Sequence, residues 1–536
     1  MSGHRIVLTA DRTLMSSYGG GIFYGFIATA PARGFLPLPL LLKFVFKPVP
    51  VGPRGEALLA PHGLRRIESA LLESGIVEED EIIVAPPETL ERIVGEETRI
   101  IGIYSHDHLG RGPASTTFSG PTGIVHEEPL SAWGFRTLVT SSVVQRARKR
   151  GAVVVAGGPG AWQFTYEDME RLGVDLVVYG EGEKVVPELF SAILSGEELG
   201  LPKIVYVDPS RIPRGCEIPP LKGATVGGLV EVSRGCGRMC SFCRPTLVPL
   251  RHRPLEHIVR DVMVNVRCGQ RSICLHAEDV FRYGAGPLEV KREKVVELFD
   301  RVSKVPGARI TSISHANLSS IAAYPRLVEE VSELLGLDKR NWMGYQTGIE
   351  TGSPRLIEMH MEYKPYPFKP SEWPEVVEQA FATSVDCGLV PAATLIVNLP
   401  GETEDDVLAT VELVERLRPY KSLMVPLLYV PADPREKMMR FLEDAQWYHW
   451  ELYRVVWRHN MRWLPTLAVE YTTRSDLTTK LFMRSLISMV TKIADRKVES
   501  FIERNLVHKL EEHRKMLLAQ RGVLEGVERR RARVRI

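Results

Sequence analysis

The stretch SRGCGRMCSFC at residues 233–243 places three thiols on one tight loop, directly after a predicted strand at Leu229–Val232. Three thiolates with no correctly spaced fourth favour an iron–sulfur cluster in which one iron stays open to an outside ligand. A structural zinc site normally closes with a fourth protein ligand, and the nearby Cys216, His252 and His257 lack the paired spacing of zinc modules. Zinc is therefore the less favoured alternative. The predicted metal ligands are Cys236, Cys240 and Cys243.

Apolar runs separated by helix-length segments continue after the cysteine loop. Together with the strand ahead of the loop they predict six strands, at Leu229–Val232, Ser272–His276, Arg309–Ser312, Gly344–Glu350, Ala393–Asn398 and Leu423–Val430. Strands that alternate with helices over about 200 residues are typical of a parallel barrel or partial barrel. We therefore expect such a barrel over residues 225–432.

The first 210 residues show the same alternation and predict a doubly wound, Rossmann-like α/β domain with a parallel sheet over residues 1–210. The predicted strands are Arg5–Leu8, Glu81–Val84, Arg99–Tyr104, Ala152–Ala156, Asp175–Tyr179 and Lys203–Val207. The predicted helices between them are His62–Ser74, Ser131–Arg150, Tyr166–Leu172 and Glu183–Leu194. The strands end in polar or glycine-rich turns, and an open α/β sheet binds its ligands at that edge.

Strand signals stop after Asp433, so residues 433–536 are predicted to be helical. An amphipathic run from Ser475 to Gln520 begins with Ser475 and Asp476 as capping residues. Its apolar side is predicted to hold Leu477, Leu481, Val490, Ala494, Val498, Phe501 and Leu510. Four tryptophans between residues 447 and 463 are expected to pack in a core, with a lid over an apolar substrate as the alternative.

The cysteine loop resembles the hallmark of the radical S-adenosylmethionine (SAM) superfamily, C-x3-C-x2-C with an aromatic residue, here Phe242, just before the last cysteine. The resemblance implies a partial (β/α)6 barrel of the TIM-barrel type that holds a 4Fe-4S cluster, with SAM bound to the open iron. It implies that Glu278, after the second barrel strand, binds the SAM amino group. It also places Glu350 and His315 near the ribose and adenine of SAM. Taken singly, these residues could equally be surface acids and a core histidine.

The N-terminal domain resembles the cobalamin-binding domain that precedes the barrel in one subgroup of this superfamily. The segments at residues 157–160 and 174–183 carry the resemblance, since they are similar to the characteristic segments of that subgroup. Their glycine-rich turns would let the backbone approach a bulky ligand. The predicted cobalamin contacts are Gly157, Gly158, Gly180, Glu181, Ser115 and Thr116. The D-x-H-x-x-G signature, which supplies a histidine beneath cobalt in many cobalamin proteins, is missing. Either cobalt has no protein histidine below it, or the domain has kept the fold and lost the cofactor.

The resemblance further implies that an outside electron donor of the ferredoxin or flavodoxin type reduces the cluster. Homolytic cleavage of SAM would then give a 5′-deoxyadenosyl radical that abstracts hydrogen from an unactivated carbon of a small-molecule or lipid substrate. With cobalamin bound, the expected outcome is C-methylation, a methyltransferase reaction. The alternative is radical carbon–carbon bond formation or cyclisation on an apolar, lipid-like substrate. RNA modification is disfavoured, because the first cysteine is Cys216 and the N-terminal cluster ligands of methylthiotransferases are absent.

Composition limits the remaining classes. The 536 residues are 44% hydrophobic and 25% charged, as in globular proteins, and the net charge of +2 gives no reason to expect nucleic acid as the main partner. The arginine-rich tail at 529–535 is expected to be solvated. Prolines and charges interrupt the apolar region from Gly19 to Val51, so no membrane span is predicted, although a peripheral membrane contact stays open. Seven cysteines without a disulfide pattern favour reduced thiols and a cytoplasmic location.

Overall fold

The computed structural model describes residues 4–20, 22–34, 37–197, 203–244, 248–431, 437–472, 476–489, 491 and 495–534. An α/β unit with a parallel sheet comes first, a second parallel α/β unit follows, and helices complete the described chain. This order confirms the predicted fold class of a doubly wound domain, a partial barrel and a helical C-terminal region.

Six parallel strands, β1 to β6, form the N-terminal sheet in the spatial order β2-β1-β3-β4-β5-β6. In chain order they are Ile6–Ala10, Ile82–Val84, Ile100–Tyr104, Val153–Gly157, Leu176–Tyr179 and Ile204–Tyr206. All six predicted strands are confirmed, with small shifts of their ends. The strand order changes direction between β1 and β3, and the crevice outside the carboxyl ends of the strands at such a point is where open α/β sheets bind ligands.

Both faces of this sheet are buried, as expected for parallel strands that helices cover on both sides. Ile6 and Leu8 of β1 lie in one core and Val7 lies in the other. The helices of this unit are Leu38–Phe44, His62–Glu73, Leu90–Ile93, Pro113–Phe118, Leu130–Val139, Ser142–Lys149, Tyr166–Leu172 and Val185–Ser195. The single helix predicted over residues 131–150 is wrong: the first helix ends at Val139, the hydroxyl of the next residue, Thr140, donates to the carbonyl oxygen of Arg136 at 2.7 Å, and Ser141 is extended before the second helix begins.

Six further parallel strands, β7 to β12, form the second unit as two three-stranded sheets. They are Leu229–Glu231, Ser272–His276, Arg309–Ile313, Met343–Glu350, Leu389–Val397 and Leu423–Leu428, so the six predicted strands are confirmed. A parallel bridge between His315 and Gln346 joins the two sheets, and the strands follow one another as a partial barrel. The outer helices are Leu255–Arg267, Arg292–Ser303, Leu318–Ala323, Pro325–Leu335, Pro354–Met361, Trp373–Asp386 and Glu404–Arg416.

The C-terminal region is helical, as predicted. Its helices are Phe441–Asp444, Trp447–Tyr471, Leu477–Met489 and Asp495–Val534. Trp450 is fully buried against Phe441 in the core of the barrel, which confirms the expected packing for this tryptophan. Within the described ranges, no helix is both long enough and apolar enough to cross a membrane.

The amphipathic run predicted from Ser475 onwards is two helices, and its predicted apolar side is partly wrong. Three predicted members of that side are exposed, namely Leu477, Leu481 and Leu510. Phe482 stacks on Phe44 and Met483 is buried, so the packed side of this helix faces the N-terminal unit. Asp476 is a cap, as predicted, because its carboxylate accepts the first N–H groups of the helix. Ser475, Val490 and Ala494 lie outside the described residues.

A buried ion cluster joins the N-terminal unit to the barrel. Asp261, on barrel helix Leu255–Arg267, accepts a 2.5 Å hydrogen bond from Arg66 of helix His62–Glu73 and another from Arg253. All three side chains are almost completely buried. Because removing one partner from such a cluster leaves the other charges uncompensated in a low-dielectric interior, the cluster depends on all its members.

We therefore expect Asp261→Ala to lower the free energy of unfolding by about 3–5 kcal/mol, since Arg66 and Arg253 would stay buried without their carboxylate. Denaturant titration of the barrel followed by tryptophan fluorescence measures the change. The matched control is Asp300→Ala, which breaks the exposed pair with Lys304 and should cost about 0–1 kcal/mol. If the two substitutions lowered the free energy of unfolding equally, the buried cluster would not be what stabilises the contact between the two units.

Candidate active site

The carboxyl ends of the two parallel strand sets face each other across one cavity of about 940 Å³. The N-terminal unit contributes the turns after β3, β4 and β5, and the barrel contributes residues that follow β7, β8 and β9. This volume lies at the upper end of the range of about 300–1,000 Å³ for small-molecule sites. Ligand sites of both fold types lie at the carboxyl ends of their strands, so the cavity is the candidate active site.

The cysteine loop starts directly after β7 and is held in a backbone shape that depends on glycine. Gly235 and Gly237 both have positive φ. A side chain at Gly235 would lie 2.4 Å from the carbonyl oxygen of Val248, and one at Gly237 would lie 2.8 Å from Pro287. Met239, between the first two cysteines, also has positive φ, which is uncommon for a residue with a side chain. Backbone of this kind persists where the surrounding structure demands it, often at functional sites.

Basic side chains surround the three thiols. Arg282 is buried and its Nη2 donates a hydrogen bond to Cys236 Sγ at 3.4 Å. Burial raises the pKa of Cys240, and the nearby positive charge of Lys364 opposes that rise. Cys240 is buried, whereas Cys236 and Cys243 are half-buried. Three thiols close to fixed positive charges suit a group that binds as the thiolate form.

The donor set fits an iron–sulfur cluster. Among the residues that the structure describes, no three side chains of His, Cys, Asp or Glu are grouped as they would be around one metal ion. A cubane cluster takes one thiolate for each iron, so its thiolates need not meet at a single point. Phe242 is half-buried and packs against the core of the barrel. It does not line the cavity.

Glu278 lies where the sequence predicted, just after β8, and lines the cavity. Its carboxylate forms no hydrogen bond or ion pair with another described residue, so it is available to a ligand. The neighbouring His276 also lines the cavity, and its Nδ1 lies 2.9 Å from Ser314 Oγ. Burial lowers the pKa of His276, which makes its ring neutral near pH 7. The arrangement presents one free carboxylate beside neutral polar groups.

Glu350 lies at the carboxyl end of β10 but is committed to neighbours within the protein. Its carboxylate pairs with Lys364 Nζ at 2.9 Å and accepts a hydrogen bond from Thr394 at 3.0 Å. It is buried, has positive φ, and does not line the cavity. His315 contacts Ser314 Oγ at 3.2 Å, and burial lowers its pKa to about 4. Glu278 therefore lines the cavity, whereas Glu350 and His315 do not.

Some of the predicted cobalamin contacts line the cavity and others do not. Four of them line the cavity, namely Gly157, Gly158, Gly180 and Glu181. Ser115 and Thr116 are buried on helix Pro113–Phe118 and do not reach it. The Ser115 hydroxyl donates to Asp107, and the Thr116 hydroxyl donates to the carbonyl oxygens of its own helix turn. Their hydroxyls are engaged within the loop rather than offered to a ligand.

Glu181 lines the cavity and also ties the two units together. It accepts hydrogen bonds from Arg234 and Arg251, each at 2.5 Å, and both arginines belong to the barrel. Arg234, two residues before Cys236, pairs in addition with Glu183 at 2.8 Å and with Glu231 at 2.7 Å. Burial disfavours the charge of Glu231, but Arg234 more than compensates and holds the pKa of Glu231 well below its ordinary value. The turn after β5 is thus joined directly to the cysteine loop.

The sequence analysis missed the basic residues of the site. Arg234 lies within the quoted stretch, and Arg282 follows Asp279 at a spacing of three, which favours a local ion pair. Those signals were present in the sequence. Lys364 carried no comparable signal, because only the fold brings it to Glu350. Tyr104 and His106, at the carboxyl end of β3, also line the cavity, and the Tyr104 hydroxyl lies 2.8 Å from His106 Nε2.

Residues 230–414 match the family model described as the radical SAM superfamily. A Methanocaldococcus jannaschii protein named as a methylthiotransferase is 28% identical over 51% of this chain and 59% of its own length. The tRNA-2-methylthio-N(6)-dimethylallyladenosine synthase of Orientia tsutsugamushi is 22% identical over 54% of this chain and 62% of its own. The chain thus spans about three fifths of the length of these curated relatives.

The fold is similar to that of TsrM from Kitasatospora setae, a radical S-adenosylmethionine methyltransferase. One structure of TsrM, with tryptophan substrate and a SAM analogue, gives a TM-score of 0.51 at 16% identity and covers 80% of this chain and 75% of TsrM. Another, with cobalamin and a [4Fe-4S] cluster, gives a TM-score of 0.50 at 16% identity and covers 79% of this chain and 75% of TsrM. At this identity the likeness establishes the shared fold.

We expect Glu181→Gln to loosen the cysteine loop, because Arg234 and Arg251 lose their shared charge partner. Amide hydrogen exchange over residues 233–244 should become faster by on the order of tenfold, equivalent to about 1.4 kcal/mol of local opening. Glu188→Gln is the matched control, since Glu188 pairs with Arg211 at the same 2.5 Å but is exposed. Unchanged exchange in the Glu181 variant would show that the ion pairs of Glu181 with Arg234 and Arg251 do not hold the cysteine loop in place.

Proposed function

We propose that the chain is a corrinoid-dependent radical SAM methyltransferase acting on an unactivated carbon, since residues 230–414 match the radical SAM superfamily model. One observation carries the proposal: Arg234 and Gly235, at the start of the cysteine loop, and Glu278 line the same cavity as the glycine turns of a Rossmann-like sheet. The three cysteines of the loop do not themselves line this cavity. Two ligand-binding edges that share a cavity suit a reaction in which two bound groups act on one substrate.

Cys236, Cys240 and Cys243 would hold a 4Fe-4S cluster through three irons. When bound, such a cluster would supply the electron for reductive cleavage of SAM. Arg282 and Lys364 lower the electrostatic cost of the thiolates, since they are fixed cations in a poorly solvated site. The supply of electrons is assigned to a ferredoxin- or flavodoxin-type donor.

Glu278 would accept a hydrogen bond from the amino group of SAM, because it is the free carboxylate on the barrel side of the cavity. Glu350 would act indirectly, by holding Lys364 beside the cysteine loop and by shaping the backbone where β10 ends. The neutral His276 and Ser314 offer hydrogen bonds without adding charge. Each of these residues would bind or orient SAM, and none of them is assigned a bond-breaking step.

A corrinoid would lie against the edge formed by Gly157, Gly158 and Gly180. When bound, it supplies the methyl group. Gly158 and Gly180 have positive φ, and side chains there would collide with Tyr104 and Val207, so the turns bring bare backbone to the cavity. Gly157 is different: a side chain there would meet only the carbonyl oxygen of Val178, at 3.9 Å. The space in front of Gly157 is therefore free for a ligand.

The substrate proposed is a small molecule with an apolar body. Phe23, Phe26 and Ile67 line one side of the cavity, and Phe190 and Val186 extend this apolar wall. The same wall favours the second candidate function, radical bond formation on an apolar substrate without methyl transfer. The names of the curated relatives suggest methylthiolation as a third. Corrinoid retention separates the first two functions, and the iron count separates the third.

Anaerobic reconstitution followed by iron and sulfide analysis tests the cluster. We expect about four irons per chain in the unaltered protein and a large loss of iron in Cys236→Ala, Cys240→Ala and Cys243→Ala, since each removes one ligand. Cys268→Ala is the control, because Cys268 is exposed and distant in sequence from the loop. About eight irons per chain would contradict a single cluster and favour the methylthiolation alternative.

Corrinoid binding is tested by loading the reconstituted protein with hydroxocobalamin, desalting it, and recording the visible spectrum. We expect stoichiometric retention, and loss of retention in Gly157→Leu, because Gly157 lines the cavity and a Cβ there would meet only the carbonyl oxygen of Val178, at 3.9 Å. Gly286→Leu is the control, since it adds the same side chain on a barrel loop outside the cavity. Loss of corrinoid should leave the iron content unchanged.

Two results would count against the proposal. If the unaltered protein keeps its cluster but retains no corrinoid, radical bond formation without methyl transfer becomes the favoured function. If Gly157→Leu retains corrinoid as well as the unaltered protein does, the corrinoid does not bind at this edge of the sheet.

A further inference from the structure

Three ionised side chains form a buried group beneath the first two cysteines. Asp279, directly after Glu278, accepts a 3.0 Å hydrogen bond from Arg282 Nε and lies 3.6 Å from Arg238 Nη2. All three side chains are 1–2% exposed. The Ser320 hydroxyl, outside this group, donates a hydrogen bond to Asp279 at 2.6 Å. We call Asp279, Arg282 and Arg238 the DRR group.

The DRR group is linked to the cysteine loop by a hydrogen bond and by the chain itself. Arg282 uses Nη2 to donate to Cys236 Sγ at 3.4 Å. Arg238 lies within the loop, and its Nη1 donates to the carbonyl oxygen of Lys364 at 2.8 Å. The remaining contacts of Arg282 with Asp279 fix the guanidinium in place, so its orientation toward the sulfur is set before any ligand binds.

The group carries more hydrogen-bonding capacity than the described residues use. Arg282 Nη1, Arg238 Nε and Asp279 Oδ1 are buried and have no hydrogen-bond partner among those residues. Unpaired buried polar groups destabilise a fold, so three of them in one group call for an explanation such as a bound charged group. Arg238 and Arg282 are both buried, and both contact the single carboxylate of Asp279, so two cations share one anion. An added negative charge beside them would be stabilised.

From this geometry we propose that the DRR group sets the reduction potential of the cluster on Cys236, Cys240 and Cys243, with Arg282 raising the potential and Asp279 limiting that rise. The inference rests on the proposed function, because it requires that cluster. Arg282 is a positioning and tuning residue and not a catalytic one: it contacts a ligand sulfur and no reacting atom.

The physical reason is charge. Reduction adds one electron to a cluster that already carries three thiolates, and hydrogen bonds and cations near the sulfurs favour the more negative state. A buried guanidinium acts strongly because the surroundings screen it little. Asp279 carries the opposite charge at almost the same place, so it disfavours reduction. Removing either residue therefore changes the potential, but in opposite directions.

This opposition separates tuning from a structural role. If Arg282 and Asp279 served only to pack the loop, both substitutions would loosen it in the same way and shift the potential in the same direction or leave it unchanged. Opposite shifts follow only if the charges themselves act on the cluster. The sign of each shift is therefore more informative than its size.

The experiment is a potentiometric titration of the reconstituted full chain, monitored by electron paramagnetic resonance of the reduced cluster. Four variants are compared with the unaltered protein: Arg282→Met, Arg282→Lys, Asp279→Asn and Arg292→Met. At a fixed potential we expect the ratio of reduced to oxidised cluster to fall about tenfold in Arg282→Met and to rise about tenfold in Asp279→Asn, each equal to about 59 mV for one electron. Arg282→Lys keeps the charge and should fall between Arg282→Met and the unaltered protein.

Arg292→Met is the matched control, because Arg292 begins the next barrel helix and pairs with Glu330 at the surface. It should leave the ratio unchanged. If Arg282→Met fails to hold iron, the opposite signs are read from Arg282→Lys and Asp279→Asn instead. Shifts of the same sign, or no shift, would overturn the tuning role. An unaltered protein that binds no iron would overturn the proposed function itself, so the two failures are distinguishable.

Discussion

The rest of the site depends on the ion pairs that surround Arg234. This guanidinium lies two residues before Cys236 and pairs with Glu181, Glu183 and Glu231, so carboxylates from both units converge on it. Three carboxylates hold this guanidinium from different sides. They restrict its position more than a single ion pair at the surface would. Because Arg234 is fixed, the cysteine loop faces the N-terminal sheet, and the cavity between the units has a definite shape.

Sequence alone predicted the parts of this structure that depend on local spacing. Parallel strands buried on both faces leave continuous apolar runs, so the strands were correctly placed. Three cysteines within eight residues predict a ligand loop, and the structure places that loop directly after β7. The hydrogen-bond partners of individual side chains were beyond prediction, even where they are close in sequence. Ser115 and Thr116 are of the right type for a nucleotide tail, yet their hydroxyls bond within their own loop and helix. Nothing in the sequence reports that choice.

Glu278 and Glu350 show the same limit more sharply. Both follow the end of a barrel strand, and both match motifs of the family. The difference is Lys364, which folds back from 14 residues beyond Glu350 and takes its carboxylate. Glu278 has no such neighbour among the described residues and remains free in the cavity. Residue type and position relative to a strand therefore predict that a carboxylate is near the site, whereas only the packed structure decides whether it can bind a ligand.

Electrostatics also explains why the molecule tolerates so many buried charges near one loop. Lys364, Arg238 and Arg282 would each be costly in a barrel core, and Glu350 and Asp279 compensate them only in part. A protein built for stability alone would replace such groups by apolar side chains. Their excess positive charge has a purpose once three thiolates and an iron–sulfur cluster are added, because the anionic cluster then completes the compensation. On this view the protein without its cluster is the less stable state, and cluster assembly and folding of the loop favour each other.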